Sequence, residues 1–94
     1  MNEPEFRLEA SFDQGTGRIV AVYLRVRAGK VAKTEEIKDG VVNADYDPDG
    51  NLLGVEVLGP CEVEALEMAA SQEPEAVKVF LRNGAPRGLV TAAA

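Results

Sequence analysis

The residues with the clearest capacity for chemistry lie between positions 45 and 56. Asp45, Asp47, Asp49, Gly50, Asn51 and Glu56 satisfy the spacing D-x-D-x-D-G-x5-E, the twelve-residue calcium loop of an EF-hand. Calcium takes six to eight oxygens, which Asp45, Asp47, Asp49, the Asn51 carbonyl and both Glu56 oxygens would supply while Gly50 makes the sharp turn. Such a loop lies between two helices, however. Here residues 41–44 before it and 55–58 after it have strand sequences. Asp47-Pro48-Asp49-Gly50 also has the preferred composition of a type I turn, with Gly50 taking a positive φ in a bulged hairpin. The residues therefore read first as a hairpin without metal. A cation site at Asp45, Asp47, Asp49, Asn51 and Glu56 is the alternative, because a divalent ion would relieve the repulsion among clustered carboxylates.

Other chemistry is sparse. The chain has no His and one Cys. Cys61 has no imidazole to activate it, and Glu62 and Glu64 beside it oppose thiolate formation. Gly15-Thr16-Gly17 is too short for a phosphate loop, which needs a preceding strand and a helix opening after it. Pairs of acids leave a small carboxylate-based hydrolase as a distant alternative. The expectation is no catalytic residue, no cofactor and a non-enzymatic domain.

Positioning any of these groups falls to a small scaffold. Ninety-four residues, 46% hydrophobic and 28% charged, make one globular domain. Phe6, Leu8, Ala10 and Phe12 alternate with polar residues, the pattern of a strand with one buried face. Residues 18–27 form a strand apolar on both sides. Residues 31–37 form a polar strand near an edge, Asp39-Gly40 signals a hairpin into residues 41–46, and residues 52–58 complete the set. After Gly59-Pro60 the period changes. Val63, Leu66, Met68, Ala69 and Ala70 follow helical spacing, as do Val77, Phe80 and Leu81 between Pro74 and Gly84. The predicted class is α+β: a five-stranded antiparallel β-meander over residues 1–60, with one or two C-terminal helices from residues 61–84 packed on one face and a tail, 85–94, that frays.

Charge narrows the partners. Ten Lys and Arg against sixteen Asp and Glu give a net charge of −6, which repels nucleic-acid phosphates and anionic lipid. Residues 34–75 carry twelve acids and one base, so pairing of Arg25, Arg27, Lys30 and Lys33 with Glu35, Glu36 and their neighbours across adjacent strands is expected. The longest apolar run, residues 19–24, is far short of the roughly 20 residues that cross a bilayer. The acidic start lacks the basic region of a signal peptide, and a lone Cys fits a reducing compartment, so the expected location is cytoplasmic.

The stretch from Phe12-Asp13 to Tyr23, then residues 29–37, and above all residues 39–58 with their DGV, DYD and DG-N-LLG-VEVL pattern, resembles a family of short prokaryotic β-rich proteins. That family is classed only as a domain of unknown function, and its members read roughly as DGV..DYD.DG.LVGIEIL. The resemblance implies a small antiparallel sheet without known catalytic activity and brings no site residues with it. The span between Asp13 and Tyr23 is longer here, and the segment after Pro60 extends beyond the shared part. The functional expectation is an interaction or structural module that self-associates as a homodimer. Two helices of about nine residues, each about 14 Å long, cover only one face of a sheet about 20–25 Å wide. Ile19 and Tyr23 are therefore the interface candidates on the face left open.

Overall fold

Turn chemistry and the apolar content of each strand together decide the order of the sheet. The computed structural model describes residues 5–84, Pro86 and the backbone of residues 90–91. The chain runs β1 (Arg7–Phe12), β2 (Ile19–Arg25), β3 (Lys33–Lys38), β4 (Val42–Tyr46), β5 (Leu52–Val57), β6 (Cys61–Glu62), α1 (Val63–Ala69), α2 (Glu75–Gly84) and β7 (Val90–Thr91). Two tight turns join β3 to β4 and β4 to β5. In the first, Val41 N–H donates to the Lys38 carbonyl at 2.9 Å; in the second, Gly50 N–H donates to the Asp47 carbonyl at 3.0 Å. Gly50 has φ +85°, which a residue with a Cβ adopts only with strain.

The five-stranded antiparallel sheet and the two helices packed against it are as expected, but the order is β1-β2-β5-β4-β3. A simple meander would have put the charged β3 beside β2 in the middle and the apolar β5 at an edge. Instead β5, buried at every position except Glu56, pairs on one side with β2 and on the other with β4. The two most apolar strands thus share the centre. The connection over residues 26–32 crosses the ends of β5 and β4, three strand spacings or about 14 Å, well within the roughly 23 Å that seven residues can reach.

One face of the sheet carries the core. Val22, Leu24 and Val26, Val55 and Val57, and Val42 and Ala44 meet Ala65, Leu66 and Ala69 of α1 and Val77 and Leu81 of α2. Between the helices, Glu73 accepts from Arg27 Nη2 at 2.8 Å, and Arg27 Nη1 donates to the Leu52 carbonyl. Both side chains are about nine-tenths buried, so the pair locks the interhelical loop onto the end of β2; removing one partner would leave a buried charge. On the outer side of the helices, Arg82 of α2 reaches Glu67 of α1 at 3.5 Å.

Three expectations are corrected. β1 is exposed at all six positions instead of burying one face, because the helices cover β2, β5 and β4 and stop short of the outer strand. Since β2 and β3 are not neighbours, their charges do not pair: Arg25 faces Glu9 at 4.0 Å, Arg27 faces Glu73, and the Lys33–Glu35 contact, at 3.5 Å, lies within β3. The strand order, as above, is not that of a meander. Of the tail, residues 90–91 pair in parallel with β6, Cys61 opposite Val90; the other tail positions, Pro86 aside, lie outside the described residues.

Candidate functional site

Three surfaces hold the residues that sequence chemistry singled out. The first is the turn between β4 and β5. Asp47 Oδ1 accepts from the N–H of Asp49 at 2.9 Å and of Asn51 at 2.8 Å, and its Oδ2 accepts from Asn51 Nδ2 at 3.2 Å. These donors, the Asn51 backbone first, hold the Asp47 carboxyl below its ordinary 3.8. Asp49 sits exposed at the tip, and Glu56 lies on β5 opposite Tyr23 and Asn43. Among the described residues, no group of three or more His, Cys, Asp or Glu converges as a metal cluster would. Beside the turn, a shallow hollow of about 420 Å³ is lined by Lys33, Glu35, Tyr46 and Pro48. Burial, then the nearby carboxylates of Glu35 and Glu73, push the Tyr46 hydroxyl up.

The second surface is the sheet face opposite the helices, where Asp45 belongs. The register places Arg7 and Glu9 of β1, Tyr23 and Arg25 of β2, Glu56 of β5, Asn43 and Asp45 of β4 and Thr34 of β3 on this side. Tyr23 lies diagonally across β5 and donates its hydroxyl to Asp45 Oδ2 at 3.0 Å, while Thr34 Oγ1 donates to Asp45 Oδ1 at 2.6 Å. Gly54 makes the diagonal possible, since a Cβ there would overlap the Tyr23 ring and hydroxyl. The Arg25 guanidinium lies 5.3 Å from the ring centroid. Burial above all, and then the bond to Asp45, push the Tyr23 hydroxyl far above its ordinary value. Tyr23 therefore stays protonated and acts as a donor, not as a base. The only sequence signal for this network was a glycine inside an otherwise apolar strand, a sign of close approach by another group.

This face is not the apolar patch that the composition of β2 suggested. Alternate positions of every neighbouring strand are polar, so Tyr23 is surrounded by Glu9, Arg25, Asp45 and Glu56. Ile19 does not join it. The register slips between Ser11 and Phe12, where Ile19 comes opposite Phe12, and Ile19 packs against the core. The two interface candidates thus sit on different surfaces.

The third surface is the outer edge of β1 and the apolar ground next to it. Leu8 is 45% and Phe12 59% exposed, whereas Phe6 is anchored by stacking on Phe80 of α2 with centroids 4.6 Å apart. At the adjoining end of the sheet a groove of about 670 Å³ runs between Arg18, Val20, Leu58 and Pro60. Cys61 next to it is buried, and burial pushes its thiol up. No helix among the described residues is long and apolar enough to cross a membrane.

Comparison with known proteins adds one finding. None of the curated proteins and none of the solved structures matches the chain. Residues 21–59, from β2 through the end of β5 and less than half of the chain, match the family described as "Protein of unknown function (DUF2283)", so the three inner strands and the polar β3 edge are the part this protein shares with that family, while β1 and the helices lie outside it.

Proposed function

We propose that this chain is a small non-enzymatic association module that binds a second copy of itself. One observation carries the reading: β1 is a six-residue strand exposed on both faces that nevertheless carries Leu8, Ala10 and Phe12 in strict alternation. A strand of that composition at an open edge is a template for another strand unless something covers it. The carboxylates argue against hydrolytic chemistry. Asp45 and Asp47 accept hydrogen bonds on both oxygens from their own fold, and Tyr23 is held as a donor.

Sedimentation equilibrium over a wide concentration range tests the reading. The expected result is a mass that rises from the 10.0 kDa of one chain toward twice that value; a constant 10.0 kDa would remove it. A cation role at the second hairpin is the competing reading, and it would require Asp47 to surrender three donors. Millimolar calcium is expected to leave the amide resonances of Asp49, Gly50 and Asn51 in place, and saturable shifts there would favour the cation site instead.

A further inference from the structure

The register of β1 on β2 fixes which of its backbone groups lie along the outer edge of the sheet. Val26 N–H donates to the Leu53 carbonyl at 2.8 Å, continuing the register of Val22 with Val57 and Leu24 with Val55. Even-numbered residues of β2 therefore turn their backbone groups toward β5, and odd-numbered ones turn theirs toward β1. Their partners Arg7, Glu9 and Ser11 are engaged within the sheet. Leu8 and Ala10 therefore point their N–H and C=O groups outward, where among the described residues no further strand lies; beyond the register slip Phe12 does so too, because its neighbour Asp13 N–H donates inward to the Arg18 carbonyl at 2.8 Å.

We infer that two copies join β1 to β1 in antiparallel fashion about a two-fold axis at Leu8, making one continuous sheet with all the helices on the same side. This rests on the self-association proposed above and names its surface. Symmetry requires each residue to face one of the same parity, which leaves few registers. With the axis at Leu8, Leu8 faces its own copy and Phe6 faces Ala10, both at positions where the outward backbone groups exchange hydrogen bonds. Arg7 faces Glu9 twice, at the intervening positions where side chains come closest. With the axis at Glu9, that carboxylate would face itself. With the axis at Ala10, Arg7 would face Asp13, whose carboxylate already accepts from Gly15 N–H at 2.7 Å.

The charges are free to make the exchange. Arg7 lies 3.6 Å from Glu5 and Glu9 lies 4.0 Å from Arg25, and three of the four side chains are more than half exposed, so both contacts are loose and solvated. The opposite edge could set Lys33 against Glu35 about Thr34 in the same way, but no apolar pair would accompany those charges: Glu36 is its next outward position on the β4 register, Lys38 follows, and the ladder slips between them.

Charge reversal tests the register. In sedimentation equilibrium with the full chain, Arg7→Glu and Glu9→Arg each place like charges opposite one another and are expected to weaken the dimer about tenfold or more. The double variant restores the opposition with the signs exchanged and is expected to recover most of the loss. Amide exchange supplies an independent reading: Leu8 and Ala10 are expected to slow about tenfold or more from dilute to concentrated protein, while Arg7 and Glu9 change little. A dimer indifferent to both single reversals, or a double variant no better than either, would overturn the edge pairing and leave self-association standing. A protein monomeric at every concentration would overturn both.

Discussion

β1 and β3 are six-residue strands on opposite edges of the same sheet, and both present nearly every side chain to water. Their sequences answer that exposure in opposite ways. Around its outward-pointing Thr34 and Glu36, β3 sets Lys33, Glu35 and Lys38, and it buries only Ile37 in part. Charges along an edge oppose docking of a further strand, because docking would desolvate them. β1 instead alternates Phe6, Leu8, Ala10 and Phe12 with Arg7 and Glu9, one charge of each sign. Both edges carry charges of each sign; what distinguishes them is that large apolar groups alternate with the charges on β1 and not on β3. Strand β3 lies within the family-matched segment, and β1, the edge proposed to associate, lies outside it.

The largest test asks whether β1 lies outside the core despite its pairing with β2. Leu24 and Leu8 face each other across the strand pair, yet Leu24 is fully buried and Leu8 is 45% exposed. Leu24→Ala is expected to lower the unfolding free energy by about 2–5 kcal/mol, and Leu8→Ala by less than about 1 kcal/mol in dilute protein, as measured by urea denaturation. Equal losses would put β1 back in the core. Next comes the polar face that lies between the edges. Gly54→Ala is expected to cost about 1–3 kcal/mol by forcing Tyr23 off its path to Asp45, and much less when Tyr23→Ala is already present. An additive pair would mean that the ring and the glycine are not coupled.

Smaller effects concern the hairpin that delivers β5 to the centre and the edges themselves. Gly50→Ala is expected to cost about 1 kcal/mol through strain at its φ of +85°; a neutral result would refute the turn. Exchanging the character of the edges leaves stability within about 0.5 kcal/mol while moving association. Leu8→Glu is expected to abolish the concentration dependence of the mass, and Glu35→Val on β3 to introduce new association there. A Leu8→Glu protein that still dimerises would show that the contrast between the edges is not the cause. The smallest effect is that of pH on the turn. The Asp47 carboxyl is depressed in the folded state, so its contribution is fully present above its ordinary 3.8 and is lost as the pH falls through the lower folded value. The amide resonances of Asp49 and Asn51 should therefore titrate below 3.8, and a midpoint at or above it would show that those donors do not bind the carboxylate.

Local features of the fold were legible in the chain. The Asp39-Gly40 and Asp47-Pro48-Asp49-Gly50 turns, the five strands and both helices follow from residues whose preferences act within a few positions: turn formers, period-two alternation, and apolar spacing of three and four. The role of Asp47 was legible for the same reason, since its hydrogen-bond partners are two and four residues away. What sequence could not settle is which strand lies beside which. β2 and β5 were both recognisably apolar, but pairing them requires the long connection across the sheet ends, and its small closure cost is outweighed by burying two apolar strands at the centre. That one decision moved everything that depended on neighbours. It separated the bases of β2 from the acids of β3, brought Tyr23 over Gly54 to Asp45, and sent Arg27 to Glu73, forty-six residues away. It also left β1 as an outer strand, with no further strand along its outer side among the described residues. Periodicity reports which face of a strand is apolar, whereas an edge is a property of the assembled sheet, so only the tertiary structure could turn the alternation of Leu8, Ala10 and Phe12 from a core signal into a surface.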